Sequence, residues 1–421
     1  MAALCLYRRV FFPVVIVAFL LAGVDLPVGT VWTSARWLFL GIGAAGGCFI
    51  MLKERHHHFG LFQSIATFVV LTSLISAAVS SYPKVALLKV LSLFLLFLYA
   101  ATGARVAVAG RESRFFSGLL LGCEIFVGLM ALLYFVGIEA MGNPNSLGEV
   151  MGIAGAPILL WGALLGGPSA VNRRRWILYL ISLYLTFHSH ARAGEAAAFV
   201  SSFFLCFALR RYKLIIQGLV ALSILIAAGA IYRPEALDSL MNATLYKQSG
   251  EEAGLFASRE SPWNTAMDNI RAHPWFGMGL GTTAKGGDAN AEQGTFASNT
   301  GVTIEHGSSY LAILSGVGML GALPALILLL LIVGNVFRTW IWMRQSASPL
   351  HPSVPLATVM IAAMIHAGFE DWMFAPGNYM CIFFWALAFI LADVAPKISL
   401  LSFSSQPRFV PLTVNPGVSS R

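Results

Sequence analysis

Twelve apolar runs follow one another along this chain, most of them close to the roughly 20 residues that carry a helix across a bilayer. They fall at 10–29, 35–52, 61–80, 84–102, 115–137, 147–166, 176–190, 193–209, 214–231, 309–333, 354–370 and 376–394. Hydrocarbon offers no hydrogen bonds, so backbone polar groups that cross it must be satisfied within helices or a closed barrel. Runs of this length fit helices. The expected fold is therefore an all-α polytopic membrane protein with about 12 transmembrane helices and one large, partly helical extracytoplasmic loop. The organisation follows: helices 1–9 within 1–231, the loop at 232–305, helices 10–12 within 306–395, and a Ser/Pro-rich cytoplasmic tail at 396–421, expected to be disordered.

Composition agrees. The chain is 57% hydrophobic and 11% charged with a mean hydropathy of +0.76, where soluble domains carry about 25% charged residues. The net charge of +8 does not point to nucleic acid, because Lys and Arg cluster in short segments between apolar runs. With the N-terminus inside, fifteen of them fall in cytoplasmic segments, and the short outer loops hold three, Arg36, Lys84 and Arg192. An excess of Lys and Arg marks the cytoplasmic side, so the stretch 232–305 is expected outside. Arg8-Arg9 and the run behind them resemble a signal peptide. No small-residue cleavage site precedes the next run, so an uncleaved first helix is expected. The five cysteines lie in or beside apolar runs and none in the polar stretch, so neither a disulfide nor a zinc site is expected there.

Within that stretch Ser261 can cap a helix with Pro262 at its first position. Trp263, Ala266, Met267 and Ile270 form one apolar stripe. His273-Pro274 stops the helix, and Gly277-Met278-Gly279-Leu280-Gly281 opens what reads as a flexible segment. Further on, Gly316, Gly318 and Gly321 suit close helix packing.

The topology gathers unusual polar residues at the outer face: Asn143, Asn145 and Glu149; His188, His190, Arg192 and Glu195; Arg259; His306; Glu370 and Asp371. Ionisable groups at membrane depth are costly and usually face a cavity or a partner. Residues from five segments on one side point to a polar cavity. Taken singly, each has a plainer role. Arg192 can snorkel to water or pair with Glu195 three residues on. Arg259 can be an ordinary loop arginine, and His306 can be structural at a helix start. His188 and His190 lack a third metal ligand, the run His56-His57-His58 is cytoplasmic, and Glu124 stands unexplained in mid-run.

The segment Arg259…Trp263…Ile270-Arg271-Ala272-His273-Pro274-Trp275-Phe276-Gly277-Met278-Gly279-Leu280-Gly281, followed by Glu305-His306-Gly307-Ser308-Ser309-Tyr310-Leu311 and Gly318-Met319-Leu320-Gly321, resembles the O-antigen ligase / Wzy polymerase superfamily. Asn143-Pro144-Asn145 and Ser189-His190-Ala191-Arg192-Ala193-Gly194 resemble its Asn-rich outer turn and its Ser-Arg-Gly segment. The likeness spans roughly residues 140 to 330. It departs from the family pattern at Gly307, where Asn usually follows the His, and His306 stands one residue further from Gly318 than is common.

The resemblance implies a glycosyltransferase of the ligase type in cell-surface polysaccharide assembly, metal-independent, inverting and without cofactor. It sits in the bacterial inner membrane with its site facing the periplasm. The donor would be a glycan on undecaprenyl pyrophosphate and the acceptor the lipid A core or another glycan, with no nucleic acid partner. His306 would be the general base, with Arg192, Arg259, Asn145, Glu195 and Tyr310 on the substrates. Arginine suits a pyrophosphate because its charge is permanent and its donors forked, and histidine titrates near working pH. A polymerase of the same superfamily is the alternative. A transporter or flippase fits the span count, but the polar residues gather at one face instead of the midplane. A non-catalytic assembly protein is a third reading.

Overall fold

In the computed structural model the described residues are 2–23, 29–54, 59–138, 141, 144–232, 235, 257–282 and 307–397, and they form an all-helical protein of 13 helices. The first five are α1 (Ala2–Ala22), α2 (Gly29–Glu54), α3 (Leu61–Val79), α4 (Pro83–Val108) and α5 (Glu112–Phe135). α6 comprises Pro144–Val150, a π-helical turn at Met151–Gly155, and Ala156–Leu164. Then come α7 (Ser169–His188), α8 (Arg192–Ala208), α9 (Tyr212–Tyr232), α10 (Ala257–Ala272), α11 (Ser309–Ser346), α12 (Ser353–His366) and α13 (Tyr379–Val394).

Each expected apolar run lies on a helix, and α10 lies in the polar stretch. Among the described residues, seven helices are long and apolar enough to cross a membrane; a count of about twelve spans is not shown. Length explains part of the difference. α12 has 14 residues and α13 has 16. At 1.5 Å per residue they reach about 21 and 24 Å, short of the roughly 30 Å hydrocarbon core. Both are almost wholly buried. Trp385 of α13 meets Phe97 of α4, and Phe389 meets Phe62 of α3, both edge to face at 4.9 Å. α3 lies along α11, α8 along α12, and α1 along α2. α9 is the exception, with none of its apolar window buried against the rest of the chain.

α11 is a 38-residue helix broken at Gly318, where φ is 62° and ψ is −170°. The gap is filled by the segment after α10. Met278 and Gly279 donate their amides to the carbonyls of Ser315 and Gly316 at 3.0 and 2.8 Å. Met319 and Leu320 donate to Pro274 and Trp275 at 2.8 and 3.1 Å. Ser76 of α3 donates its hydroxyl to the Gly316 carbonyl at 2.9 Å, and Met278 and Leu280 are buried. A flexible segment was expected at Gly277–Gly281, and a docked one is found. The glycines serve close approach: a Cβ on Gly277 or Gly318 would lie 2.4–2.5 Å from the facing backbone, and both residues have left-handed φ. Gly316 and Gly318, expected to serve helix packing, are instead close to the docked segment.

α10 also begins earlier than Ser261-Pro262 suggests. It starts by Ala257 and carries Pro262 inside. Its end before His273-Pro274 is as expected. Glu124 is explained by two ion pairs from α7: Arg174 reaches one carboxylate oxygen and Arg175 the other at 2.9 Å.

Candidate functional site

Two seams converge at one end of the bundle. In the first, α6 and α8 meet at a line of glycines. A Cβ on Gly152 would lie 2.4 Å from the Gly194 carbonyl oxygen, and one on Gly194 would lie 2.5 Å from that of Gly148. Gly148 also faces the Ser189 hydroxyl and the Ala191 methyl, with room for no side chain. Such contact sets Asn145 and Glu149 on α6 beside Arg192 and Glu195 on the first turn of α8. The turn into α8 is tied by Ser189, whose hydroxyl donates to Thr186 O at 2.6 Å and accepts from Ala191 N at 3.3 Å. His190 in that turn has φ 51°. The His188 ring packs on Tyr134 edge-on at 5.1 Å and on Tyr184 at a tilt at 5.8 Å.

In the second seam the start of α11 is fastened to the loop between α12 and α13. The Ser309 amide donates to Ala367 O and Glu370 O at 2.8 and 3.0 Å. Its hydroxyl donates to Glu370 O at 2.7 Å and accepts from Met373 N at 3.0 Å. α10 lies across this junction. Arg259 forms an ion pair with Glu370, both side chains being partly buried, and the Trp263 indole donates to Gly307 O at 3.1 Å. Gly307 has φ 62°, and a Cβ there would stand 3.2–3.3 Å from Trp263 and Arg259. Glycine takes this conformation freely and Asn tolerates it better than most residues. That accounts for the departure from the family pattern at this position.

The seams meet through Glu149. The Tyr379 hydroxyl of α13 donates to Glu149 Oε2 at 3.1 Å, and Glu149 lies within electrostatic reach of Glu370 and Asp371. Glu149 Oε1 and Glu195 Oε1 are each buried with no hydrogen-bond partner among the described residues. Such oxygens are costly unless something donates to them. His366, buried at the end of α12, lies near Arg259 and accepts from the Trp372 indole at 2.9 Å. Arg36 donates to Gly377 O at 2.6 Å, and Lys89 lies within reach of Arg36 and Asp371.

The sequence-predicted residues divide accordingly. Asn145, Arg192 and Glu195 share the first seam, and Arg259 sits in the second. Tyr310 donates its hydroxyl to Met364 O at 2.7 Å, a link from α11 to α12. His306 and Asn143 lie outside the described residues, as do His56, His57 and His58. Tyr379 and His366 were not foreseen. Neither carries a sequence signal beyond its place at a helix end. Among the described residues, no three His, Cys, Asp or Glu side chains are grouped to hold a metal ion.

Residues 177–326 match a family model described as O-antigen ligase. The chain carries an O-antigen ligase family domain. That domain takes in most of α7, then α8, α9, α10, the docked segment and α11 to just past its break, about a third of the chain. Both arginines and His306 fall inside the O-antigen ligase match, and Asn145 and Glu370 fall outside it. The family covers ligases and polymerases of surface polysaccharide assembly and implies lipid-linked glycan substrates. No curated protein was found to match the chain.

Proposed function

We propose that this protein transfers a glycan from undecaprenyl pyrophosphate to an acceptor hydroxyl, with inversion and without a divalent metal, at the periplasmic face of a bacterial inner membrane. The observation that carries this reading is the packing of Arg259, ion-paired to Glu370, against Gly307. His306 is bonded to Gly307, so the base and one pyrophosphate-binding arginine belong to one junction. The second arginine, Arg192, stands at the first position of α8. A cation at a helix N-terminus works against the dipole, typically by 0.3–1 kcal/mol. An anion is favoured at a helix N-terminus, and an arginine beside it adds forked, permanently charged donors. The pyrophosphate of the donor is such an anion.

In the proposed step His306 takes the proton from the acceptor hydroxyl. The oxygen attacks the anomeric carbon on the face opposite the leaving group. The bond from that carbon to the phosphate oxygen breaks, and the pyrophosphate departs with the electron pair, its charge held by Arg192 and Arg259. Asn145, Glu195 and Tyr310 line the approach of the glycans. The unpartnered oxygens of Glu149 and Glu195 suit sugar hydroxyls as donors. A polymerase runs the same step with a lipid-linked repeat as acceptor.

The test is transfer in reconstituted membranes with a lipid-pyrophosphate donor. Positioned base catalysis contributes about 10²–10⁴-fold. His306→Ala should lower turnover by that amount with donor binding and melting temperature kept, and His306→Gln should not restore it. Substantial activity in both variants with lost stability makes His306 a helix cap instead of a base. Activity should also survive EDTA, and loss rescued by magnesium or manganese overturns the metal-independent reading. Offering lipid A core and lipid-linked repeats as competing acceptors separates ligase from polymerase.

A further inference from the structure

Four helices with one end at the candidate site have their other ends around a second polar cavity. α3 runs from Gln63 to the Ser80 corner, where Ser80 touches the docked segment; α4 runs from Lys89 to Arg105; α11 from Ser309 to Arg338; α13 from Tyr379 to Asp393. The cavity measures about 610 Å³, within the range of ligand sites. Its charged lining is Arg105, Arg338, Lys397, Glu112 and Asp393. The five are not equivalent. Arg105 and Asp393 form a forked pair, Nε to Oδ2 at 2.5 Å and Nη2 to Oδ1 at 2.8 Å. The Glu112 carboxylate accepts from the Gly110 amide at 3.2 Å. Arg338 reaches only the Asn335 side-chain oxygen, at 3.5 Å, and no carboxylate pairs with Arg338 or Lys397 among the described residues. The N-termini of α3 and α5 and the C-termini of α4 and α13 all open on this cavity, so the helix dipoles offset one another and the side chains decide its sign. Three basic side chains against two acidic ones, with neither Arg338 nor Lys397 paired to a carboxylate among the described residues, favour an anion.

A second observation says what kind of anion. An apolar groove of about 300 Å³ adjoins the cavity, with Gln63 lining both. It runs between α3 and α4 from Gln63 through Thr67 and Val70 to Leu74, with Phe94 and Phe97 on the facing wall. Twelve residues of helix span about 18 Å, the length of a substantial part of an acyl chain. A charged cavity at the membrane edge, continued by an apolar groove toward the bilayer interior, matches the two ends of a phospholipid.

We propose that this end of the protein binds a phosphate-bearing anionic lipid, its headgroup at Arg338 and Lys397 and an acyl chain in the groove between α3 and α4. The site lies at the opposite ends of these helices from Arg259 and Ser309 and does not depend on the transfer reaction. The test uses the full chain in neutral detergent, with bound lipid counted by native mass spectrometry and melting temperature followed on titration with phosphatidylglycerol. Phosphatidylglycerol should remain bound and raise the melting temperature of the parent. Each basic residue near an anionic surface is worth about 1 kcal/mol, so Arg338→Glu/Lys397→Glu should weaken apparent affinity at least about tenfold with an unchanged melting temperature in detergent alone. Thr67→Phe, which fills the groove and leaves the charge alone, should also weaken it. Soluble glycerol phosphate should produce no comparable shift. The proposal fails if neither variant binds lipid less tightly than the parent, if glycerol phosphate acts as strongly as the lipid, or if Arg173→Glu, an exposed cation outside the cavity, costs as much affinity.

Discussion

The left-handed backbone at Gly307 restricts what can stand beside His306. At φ 62° an alanine is strained by about 1 kcal/mol or more, and asparagine by less. Gly307→Asn should therefore keep more thermal stability and more transfer than Gly307→Ala, read as melting temperature and initial rate on the same preparations. Equal loss in both would mean that the 3.2–3.3 Å contacts of a Cβ with Trp263 and Arg259 decide the matter, not the dihedral. Glu370 holds Arg259 in the fold, and the proposed pyrophosphate role makes a second demand on the same side chain. Arg259→Lys keeps the charge and loses the fork, so transfer should fall by ten- to a hundredfold, about 1.4–2.7 kcal/mol in the barrier. Arg192→Lys should behave likewise at normal membrane levels. Wild-type rates in both variants would remove the pyrophosphate role. The arginines were legible because charge so close to apolar runs is costly. Tyr379 and His366 were not, since Tyr379 meets Glu149 only when α13 packs on α6, and His366 meets Trp372 only through the fold of the loop that follows α12.

At the level of elements, the broken helix matters most. Gly318 of α11 and Gly277 face each other so closely that a methyl group on either would meet backbone at 2.4–2.5 Å. Backbone cannot step aside as a side chain can. Gly318→Ala should cost at least about 2 kcal/mol and expose residues 274–280 to proteolysis; protection equal to that of the parent would contradict the docked arrangement. Gly277, Gly279 and Gly281 read as flexibility in the sequence, because composition alone does not distinguish freedom from close contact. The start of α10 was misjudged for a related reason: a proline that usually begins a helix is tolerated inside one that is held by Arg259 and Trp263. Between α11 and α12, His351 accepts from the Ser353 amide at 3.2 Å and is buried under Trp342. Burial pushes its imidazole from 6.5 down to about 4. The folded state thus holds it neutral, and its contribution is complete above pH 6.5 and lost as pH falls toward 4, by about 1–3 kcal/mol. His351→Asn should flatten the fall in melting temperature over that interval, and an unchanged slope would place the titration elsewhere.

For the molecule as a whole, sidedness is the first thing to test. Glu260 is exposed on α10 at the site end, and Arg173 is exposed near the start of α7. In a chain stripped of native cysteines, Glu260→Cys should react with an impermeant thiol reagent in intact spheroplasts and Arg173→Cys only after lysis. The reverse pattern would invert the topology. That the chain is a helical membrane protein was plain from apolar run length. The number of crossings was not, because a buried core helix such as α13 is as apolar as a lipid-facing one, and only its length and neighbours tell them apart. The two clamps on α11 have a consequence for how such a protein can change over generations. Thr282 closes one anchored segment and Gly307 opens the next, so the 283–306 connection joins two fixed points. Doubling a connection of that kind costs only about 0.6 kcal/mol in closure entropy. Changes in the length of that connection are therefore nearly free for the scaffold, and the sequence between the two anchors can vary while the bundle beneath keeps its shape.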